Sequence, residues 1–170
     1  MTDAPRRRPP RAGDLVPEFS GATDAGAVVT TGGLLGRATV LFFYPKAGSP
    51  GCSIESRGFA RHHAEFEAAG VRVVGISVDG PDAQRRFREK CDLPFDLITD
   101  TQGEISERFG VLGALGVARR TTFLLDPTGR IVDVVRSWRP TRHVDVALER
   151  LVRVRRSAGA AGPPPASPEL

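Results

Sequence analysis

Cysteine is nearly absent: the 170 residues contain only Cys52 and Cys91. Two thiols make no disulfide framework and, by themselves, no zinc site. In a reducing cytosol they are expected to stay thiols. No apolar run approaches the roughly 20 residues of a membrane span. The strongest is a handful of residues around Val40–Tyr44. The N-terminal MTDAPRRRPPR has no apolar stretch behind its arginines, so it does not read as a secretory signal, and the cytoplasm is the expected compartment. Lysine is scarce too. Only Lys46 and Lys90 stand among the 24 basic residues, and the arginine excess, with many Ala and Gly, reads as genomic base composition.

What is present is enough for one domain. The apolar fraction of 40% and the charged fraction of 26% suit a chain that buries a core. The net charge of +4 invites a nucleic-acid reading, but its placement argues against one. Residues 1–13 hold +3, residues 156–170 hold zero, and the body between them holds +1. A near-neutral body is not the electrostatic footprint of a nucleic-acid-binding domain. The Pro/Arg-rich residues 1–12 and the Pro/Ala-rich residues 156–170 read as disordered tails flanking a domain over 13–155.

Within that domain strand and helix signals alternate. Thr39–Tyr44 (TVLFFY) is a continuous apolar run, as in a strand buried on both faces. Gly51–Ala69 has helical spacing at Ile54, Phe59 and Phe66, and Val71–Val78 is a second buried strand. Asp82–Cys91 reads as a helix, opened after Gly80-Pro81 and stopped before Pro94, and Glu104–Phe109 as a short one. Ala27–Thr30 is a short β-prone piece. Thr121–Asp126 and Ile131–Ser137 form strands about a Pro127-Thr128-Gly129 turn, and His143–Val154 closes the domain as an amphipathic helix. The order predicts an α/β fold with a central mixed β-sheet flanked by helices on both faces. In such sheets reactive sites lie at the carboxyl ends of strands, and Pro45–Cys52 occupies that place.

The segment Tyr44-Pro45-Lys46-Ala47-Gly48-Ser49-Pro50-Gly51-Cys52 leaves a strand and enters a helix, with Cys52 in the first turn. Unpaired backbone N–H groups and the positive end of the helix dipole favour a thiolate there. With a cation nearby, such placement lowers a cysteine pKa from about 8.5 to roughly 3.5–7.5. Ser49 either caps the helix or directs its hydroxyl at the sulfur or a bound oxygen substrate. Pro45 restricts the loop and shields the sulfur from water. His62 and His63 lie about 15 Å from Cys52 at 1.5 Å per helical residue, and read as structural.

Pro45, Ser49 and Cys52 meet the Pro-x-x-x-Thr/Ser-x-x-Cys pattern, and this chain resembles the peroxiredoxins of the AhpC/TSA superfamily. Leu41-Phe42-Phe43-Tyr44-Pro45 and Ser49-Pro50-Gly51-Cys52 resemble the bacterioferritin-comigratory, or Q-type, branch. The resemblance continues through Gly75-Ile76-Ser77, Leu93-Pro94-Phe95, Thr99-Asp100, Phe109-Gly110-Val111 and Arg120-Thr121-Thr122-Phe123, covering roughly residues 13–152. It implies a thioredoxin-like fold and thiol-dependent reduction of hydrogen peroxide or organic hydroperoxides. By that resemblance Cys52 is the peroxidatic cysteine, oxidised to a sulfenic acid. Ser49 positions the peroxide, Pro45 shields the thiolate, and Arg120 stabilises the charge that develops as the O–O bond breaks. No cofactor or metal is implied.

The pattern departs from the family in two places. Many Q-type relatives carry a resolving cysteine five residues after the peroxidatic one, where this chain has Arg57. Cys91 is the other thiol, about one turn beyond the place, near Arg88, where some relatives put theirs. Either Cys91 resolves Cys52 after one of the two helices unwinds, or it is inert and an external low-molecular thiol or thioredoxin-like protein reduces Cys52 directly. The stretch between Val111 and Arg120 is also shorter than in many relatives. The alternative function is a thioredoxin-like monothiol oxidoreductase or a non-catalytic binding module, since Ser49-Pro50-Gly51-Cys52 stands where a Cys-x-x-Cys would be. An interaction role for the basic tail is a weaker addition. Both a monomer and a homodimer fit the sequence.

Overall fold

The structure is a computed structural model that describes residues 8–153. The expected C-terminal tail and residues 1–7 lie outside the described residues. Residues 8–12, expected within the N-terminal tail, are placed against the domain. Pro10 is buried, its carbonyl accepts from Arg136, and Arg8 makes a two-pronged pair with Asp14.

The domain is built on a five-stranded mixed sheet in the order β5-β4-β3-β6-β7. Its strands are β3 (Ala38–Phe43), β4 (Val71–Ser77), β5 (Asp96–Thr99), β6 (Thr121–Leu125) and β7 (Ile131–Arg136). β3, β4 and β5 are parallel, while β6 runs antiparallel to both β3 and β7. A hairpin of β1 (Ser20–Ala22) and β2 (Val28–Thr30) and a short helix α1 (Thr31–Leu34) precede the sheet. The helices that follow are α2 (Pro50–Arg61), α3 (His63–Ala68), α4 (Pro81–Cys91), α5 (Glu104–Arg108) and α6 (Pro140–Ala147), the last passing into a π-helical turn over Leu148–Arg153.

β3 is buried along its whole length, as its unbroken apolar run requires. Alternate side chains feed two cores. Val40, Phe42 and Tyr44 join Phe59, Phe66, Phe87, Val144 and Leu148 on the face covered by α2, α3, α4 and α6. Leu41 and Phe43 join Phe19, Leu34, Ile105, Phe109 and Phe123 on the other. Phe42 is the hub of the first core, its ring centroid 4.7 Å from that of Phe59 and 5.6 Å from that of Phe95. The expected mixed sheet with helices on both faces is what forms.

Several local expectations shift. The helix expected over Gly51–Ala69 is two helices, broken at His62, whose carbonyl accepts from the N–H groups of Glu65 and Phe66. The closing helix starts earlier, at Pro140, because proline suits a first helical position. Three elements escaped the sequence reading. β5 is a four-residue edge strand that starts two residues after Pro94, too short to show alternation. β1 contains a glycine, and α1 contains two and is held by its cap, Thr30 Oγ1 accepting from Gly33 N–H at 3.0 Å.

Candidate active site

The chain leaves β3 at Phe43 and crosses Tyr44–Ser49 before α2 begins. Tyr44 N–H still donates to the Ile76 carbonyl at 3.1 Å, so the loop starts from a fixed point. Its buried hydroxyl donates to Gln84 Oε1. Gln84 Nε2 donates to Ser77 Oγ at 2.9 Å and to the Ile98 carbonyl at 3.1 Å. Ser77 donates to Asp79 Oδ2 at 2.7 Å, and the same carboxylate oxygen accepts from Ala47 N–H at 2.7 Å. A polar chain from α4 and the end of β4 thus grips the loop one residue past Lys46. Burial holds the Tyr44 phenol well above its ordinary range, so it remains a neutral donor.

Ser49 takes an extended conformation as the N-cap of α2, with Pro50 at the first helical position. Its Oγ accepts from Cys52 N–H at 3.4 Å. The capping role weighed for Ser49 is therefore present. Cys52 lies in the first turn, fully buried on the core side of α2. Arg120 Nη2 donates to Cys52 Sγ at 3.3 Å. The sheet explains how residues so far apart in sequence meet. Thr121, which follows Arg120, pairs with Phe43 at the end of β3, so Arg120 emerges at the strand end from which the loop departs. Gly51 makes room for the approach, since a Cβ there would stand 3.0 Å from Arg120 Nη2.

Behind Arg120 lies a second buried group that the sequence reading did not single out. Glu55 follows Cys52 by three residues and so shares its helix face. It is wholly buried, with Oε1 3.3 Å from Arg120 Nη1. Neither carboxyl oxygen has a hydrogen bond of good geometry, and neither does Nη1. His143 of α6 closes the far side, with Nδ1 3.8 Å from Glu55 Oε2. His143 Nε2 faces the Ser137 carbonyl at 2.9 Å, which only accepts, so that nitrogen carries the hydrogen. Nδ1 of the neutral ring then accepts from the Thr122 hydroxyl at 2.8 Å. Burial pushes Glu55 up to about 8, against the pull of the Arg120 charge. Burial also pushes His143 below its ordinary value, more strongly than the Ser137 carbonyl raises it.

Both residues had a signal. Glu55 is a carboxylate one turn from a candidate nucleophile. His143 lies four residues before Ala147 on the apolar stripe of α6. A reading that scores only apolar positions passes over both.

Cys91 ends α4, buried and assigned to the same apolar cluster as Cys52. Arg57, five residues after Cys52, points Nη2 at the Lys90 carbonyl at 3.4 Å. Arg88 instead forks onto Asp24, both bonds 2.6 Å, and ties the body of α4 to the β1–β2 turn. The histidines after Cys52 look elsewhere: His62 Nδ1 is 2.8 Å from Glu65, and His63 Nε2 is 3.6 Å from Glu67. Among the described residues no three His, Cys, Asp or Glu side chains gather as a metal site, and no helix is long and apolar enough to cross a membrane.

Residues 12–134 match the AhpC/TSA family. The chain belongs to that family. Peroxiredoxin Bcp of Escherichia coli K12 is 36% identical over 150 residues, covering 84% of this chain and 96% of that protein. Peroxiredoxin Bcp of Bacillus subtilis is 32% identical over 147 residues, covering 82% and 93%. Among solved structures, the peroxidoxin BcpB of Mycobacterium tuberculosis superposes with a TM-score of 0.78 at 35% identity, over 85% of this chain and 97% of that one. A bacterioferritin comigratory protein of Xanthomonas campestris, studied for its alkyl peroxide reduction activity, superposes with a TM-score of 0.76 at 28% identity, over 84% and 99%. The fold is the thioredoxin fold of these peroxiredoxins, and this AhpC/TSA member is likewise a thiol-dependent peroxidase, an oxidoreductase of the Bcp/Q branch.

Proposed function

We propose that Cys52 is the cysteine that reduces hydrogen peroxide and organic hydroperoxides in this peroxidase. The observation that carries the assignment is the 3.3 Å approach of Arg120 Nη2 to a sulfur held in the first turn of a helix. The thiolate is the nucleophile in such chemistry, and both features place positive charge at the sulfur. Thiolate attack forms an S–O bond and breaks the O–O bond. The sulfur becomes a sulfenic acid, and the departing hydroxide or alkoxide takes up a proton to leave as water or alcohol. Arg120 faces the charge that grows on the oxygens. Ser49 accepts from Cys52 N–H at Oγ, which leaves its hydroxyl hydrogen as a donor to an incoming peroxide. Pro45 presents no N–H and limits water at the loop.

The sulfenic acid returns to thiol at the expense of another thiol. Cys91 is the internal candidate, supported by its place in the same apolar cluster and by the Arg57 contact that ties the end of α4 to α2. A disulfide demands Cα atoms within about 7 Å, and the motion proposed for this route is unwinding at the start of α2 or fraying at the end of α4. Thioredoxin or a low-molecular thiol then completes the cycle, in the cytoplasm as a reducing compartment. Mass spectrometry after one equivalent of peroxide tests the scheme. A Cys52–Cys91 disulfide supports internal resolution; a lasting sulfenic acid on Cys52 assigns recycling to the external thiol. An unmodified Cys52 overturns the assignment.

A further inference from the structure

The buried site holds one cation and two groups able to be anions. Arg120, only 13% exposed at its side chain, has Nη2 on Cys52 Sγ and Nη1 on Glu55 Oε1, each at 3.3 Å. Both Glu55 oxygens lack a hydrogen bond of good geometry, an arrangement that strongly disfavours a buried carboxylate. The charged and titratable groups facing Glu55 are few. Cys52 shares its helix, Arg120 precedes β6, and His143 faces it from α6. The His143 ring is neutral, with Nε2 committed to Ser137 and Nδ1 to Thr122. Arg142, also on α6, adds a positive charge that acts on His143. No second cation among these contacts the carboxyl group.

We propose that Glu55 carries a proton while Cys52 is a thiolate and releases it as the thiolate is consumed, so that Arg120 always faces a single buried anion. This inference rests on the reading of Cys52 as the reacting cysteine. Before the reaction the buried charges are the thiolate and the guanidinium. Burial raises Glu55 against the pull of Arg120, and the thiolate one turn away on α2 adds like-charge repulsion that keeps the carboxyl protonated. Attack on the peroxide turns the thiolate into a neutral sulfenic acid, which keeps the hydroxyl hydrogen of the attacked oxygen. The repulsion from the thiolate is then gone and Arg120 faces no other anion, so the proton leaves Glu55. The leaving oxygen takes up one proton and Glu55 gives one up, so atoms and charge balance without net proton uptake. Glu55 touches no substrate; it is a positioning residue that holds the charge of Arg120 for the sulfur and then replaces it.

Proton uptake tests this directly. The full-length reduced protein is mixed with one equivalent of hydrogen peroxide near pH 7, in weak buffer with an indicator dye, and free thiol is counted in parallel. Glu55→Gln is expected to take up about one proton per Cys52 oxidised, and the wild type well under half of that. Equal uptake in the two proteins overturns the proposal, including the case in which an ionised sulfenate keeps both low. Loss of no thiol in the wild type instead defeats the assignment of Cys52, and this inference with it. Should Glu55→Gln fold poorly, the infrared difference spectrum of oxidised minus reduced wild type decides. Loss of a protonated-carboxyl C=O band with gain of a carboxylate band is expected, and its absence overturns the proposal.

Discussion

Gly51 and Arg120 are in such close contact that a Cβ on Gly51 would stand 3.0 Å from Arg120 Nη2, the atom that donates to Cys52 Sγ. In a helix interior alanine is the better helix former by roughly 0.5–1 kcal/mol, and at this first-turn position the change carries no propensity cost. The added methyl must push the guanidinium, since 3.0 Å is tighter than an ordinary Cβ contact, whereas Pro140 Cγ, 3.8 Å from the same Cβ, is in ordinary contact. The expected result is an unchanged or higher melting temperature with a peroxide reaction slowed about tenfold or more, corresponding to at least ~1.4 kcal/mol of lost transition-state stabilisation. Stopped-flow oxidation beside thermal unfolding measures both. A full reaction rate in this variant contradicts the role given to Arg120.

Arg120 is asked to serve two neighbours at once, and lysine cannot copy that. A guanidinium presents two nitrogens in a fixed fork, whereas an ammonium is a single point charge. Arg120→Lys and Arg120→Ala are both expected to slow oxidation of Cys52, by about 10²–10³ for alanine if the arginine acts like other preorganised donors at developing charge. Cys52→Ser is expected to abolish turnover with any thiol donor. Cys91→Ser separates the recycling routes, because loss of turnover with the first oxidation intact marks Cys91 as the resolving thiol.

The loop grip yields a prediction away from the sulfur. Asp79 accepts from Ala47 N–H and from Ser77, and Ser77 accepts from Gln84. Asp79→Ala leaves the Ala47 amide without that acceptor and breaks the link from Tyr44–Gln84 to the loop. A cost of roughly 1–3 kcal/mol in denaturant unfolding is expected. A larger proportional fall in peroxide kcat/KM than in the rate of reaction with a small alkylating agent would show that the loop's geometry, more than exposure of the thiol, was lost.

Much of this was legible from the sequence, for physical reasons. A six-residue apolar run needs burial on both faces, which placed β3 at the centre of the sheet. The strand-to-helix turn then put Cys52 in a first helical turn, and Arg120 followed from its motif. The edge strand β5, with polar Asp96 and Thr99 at its ends, and the glycine-containing β1 depend on tertiary pairing for their form, and α1, with two glycines, depends on its Thr30 cap. Glu55 and His143 were missed because a buried polar group is intelligible only once its partners are known, and these come from α2, α6 and the start of β6. Close packing of the two helices brings them together; a Cβ on Gly58 would meet Val144 Cγ2 at 2.9 Å.

The same buried pair sets the response of stability to pH, and its two members pull in opposite directions. Glu55 is raised in the folded state to about 8, so folding binds a proton that the unfolded chain gives up at an ordinary carboxyl pKa. Its contribution is fully present below about pH 4.3, the unfolded value, and is lost as pH rises through about 8. His143 is lowered in the folded state, so its contribution is present above the unfolded imidazole value and is lost as pH falls through the folded one. The wild type is therefore expected to lose unfolding free energy relative to Glu55→Gln between pH 5 and 8, by a few kcal/mol on the order of one 1.36 kcal/mol step per pKa unit. His143→Gln is expected to flatten the acid side, below about pH 6.5, while leaving the alkaline slope in place. Urea unfolding of the three proteins across this range measures it. A gap between wild type and Glu55→Gln that stays constant with pH would mean that Glu55 is already ionised in the folded protein, sharing Arg120 with the sulfur.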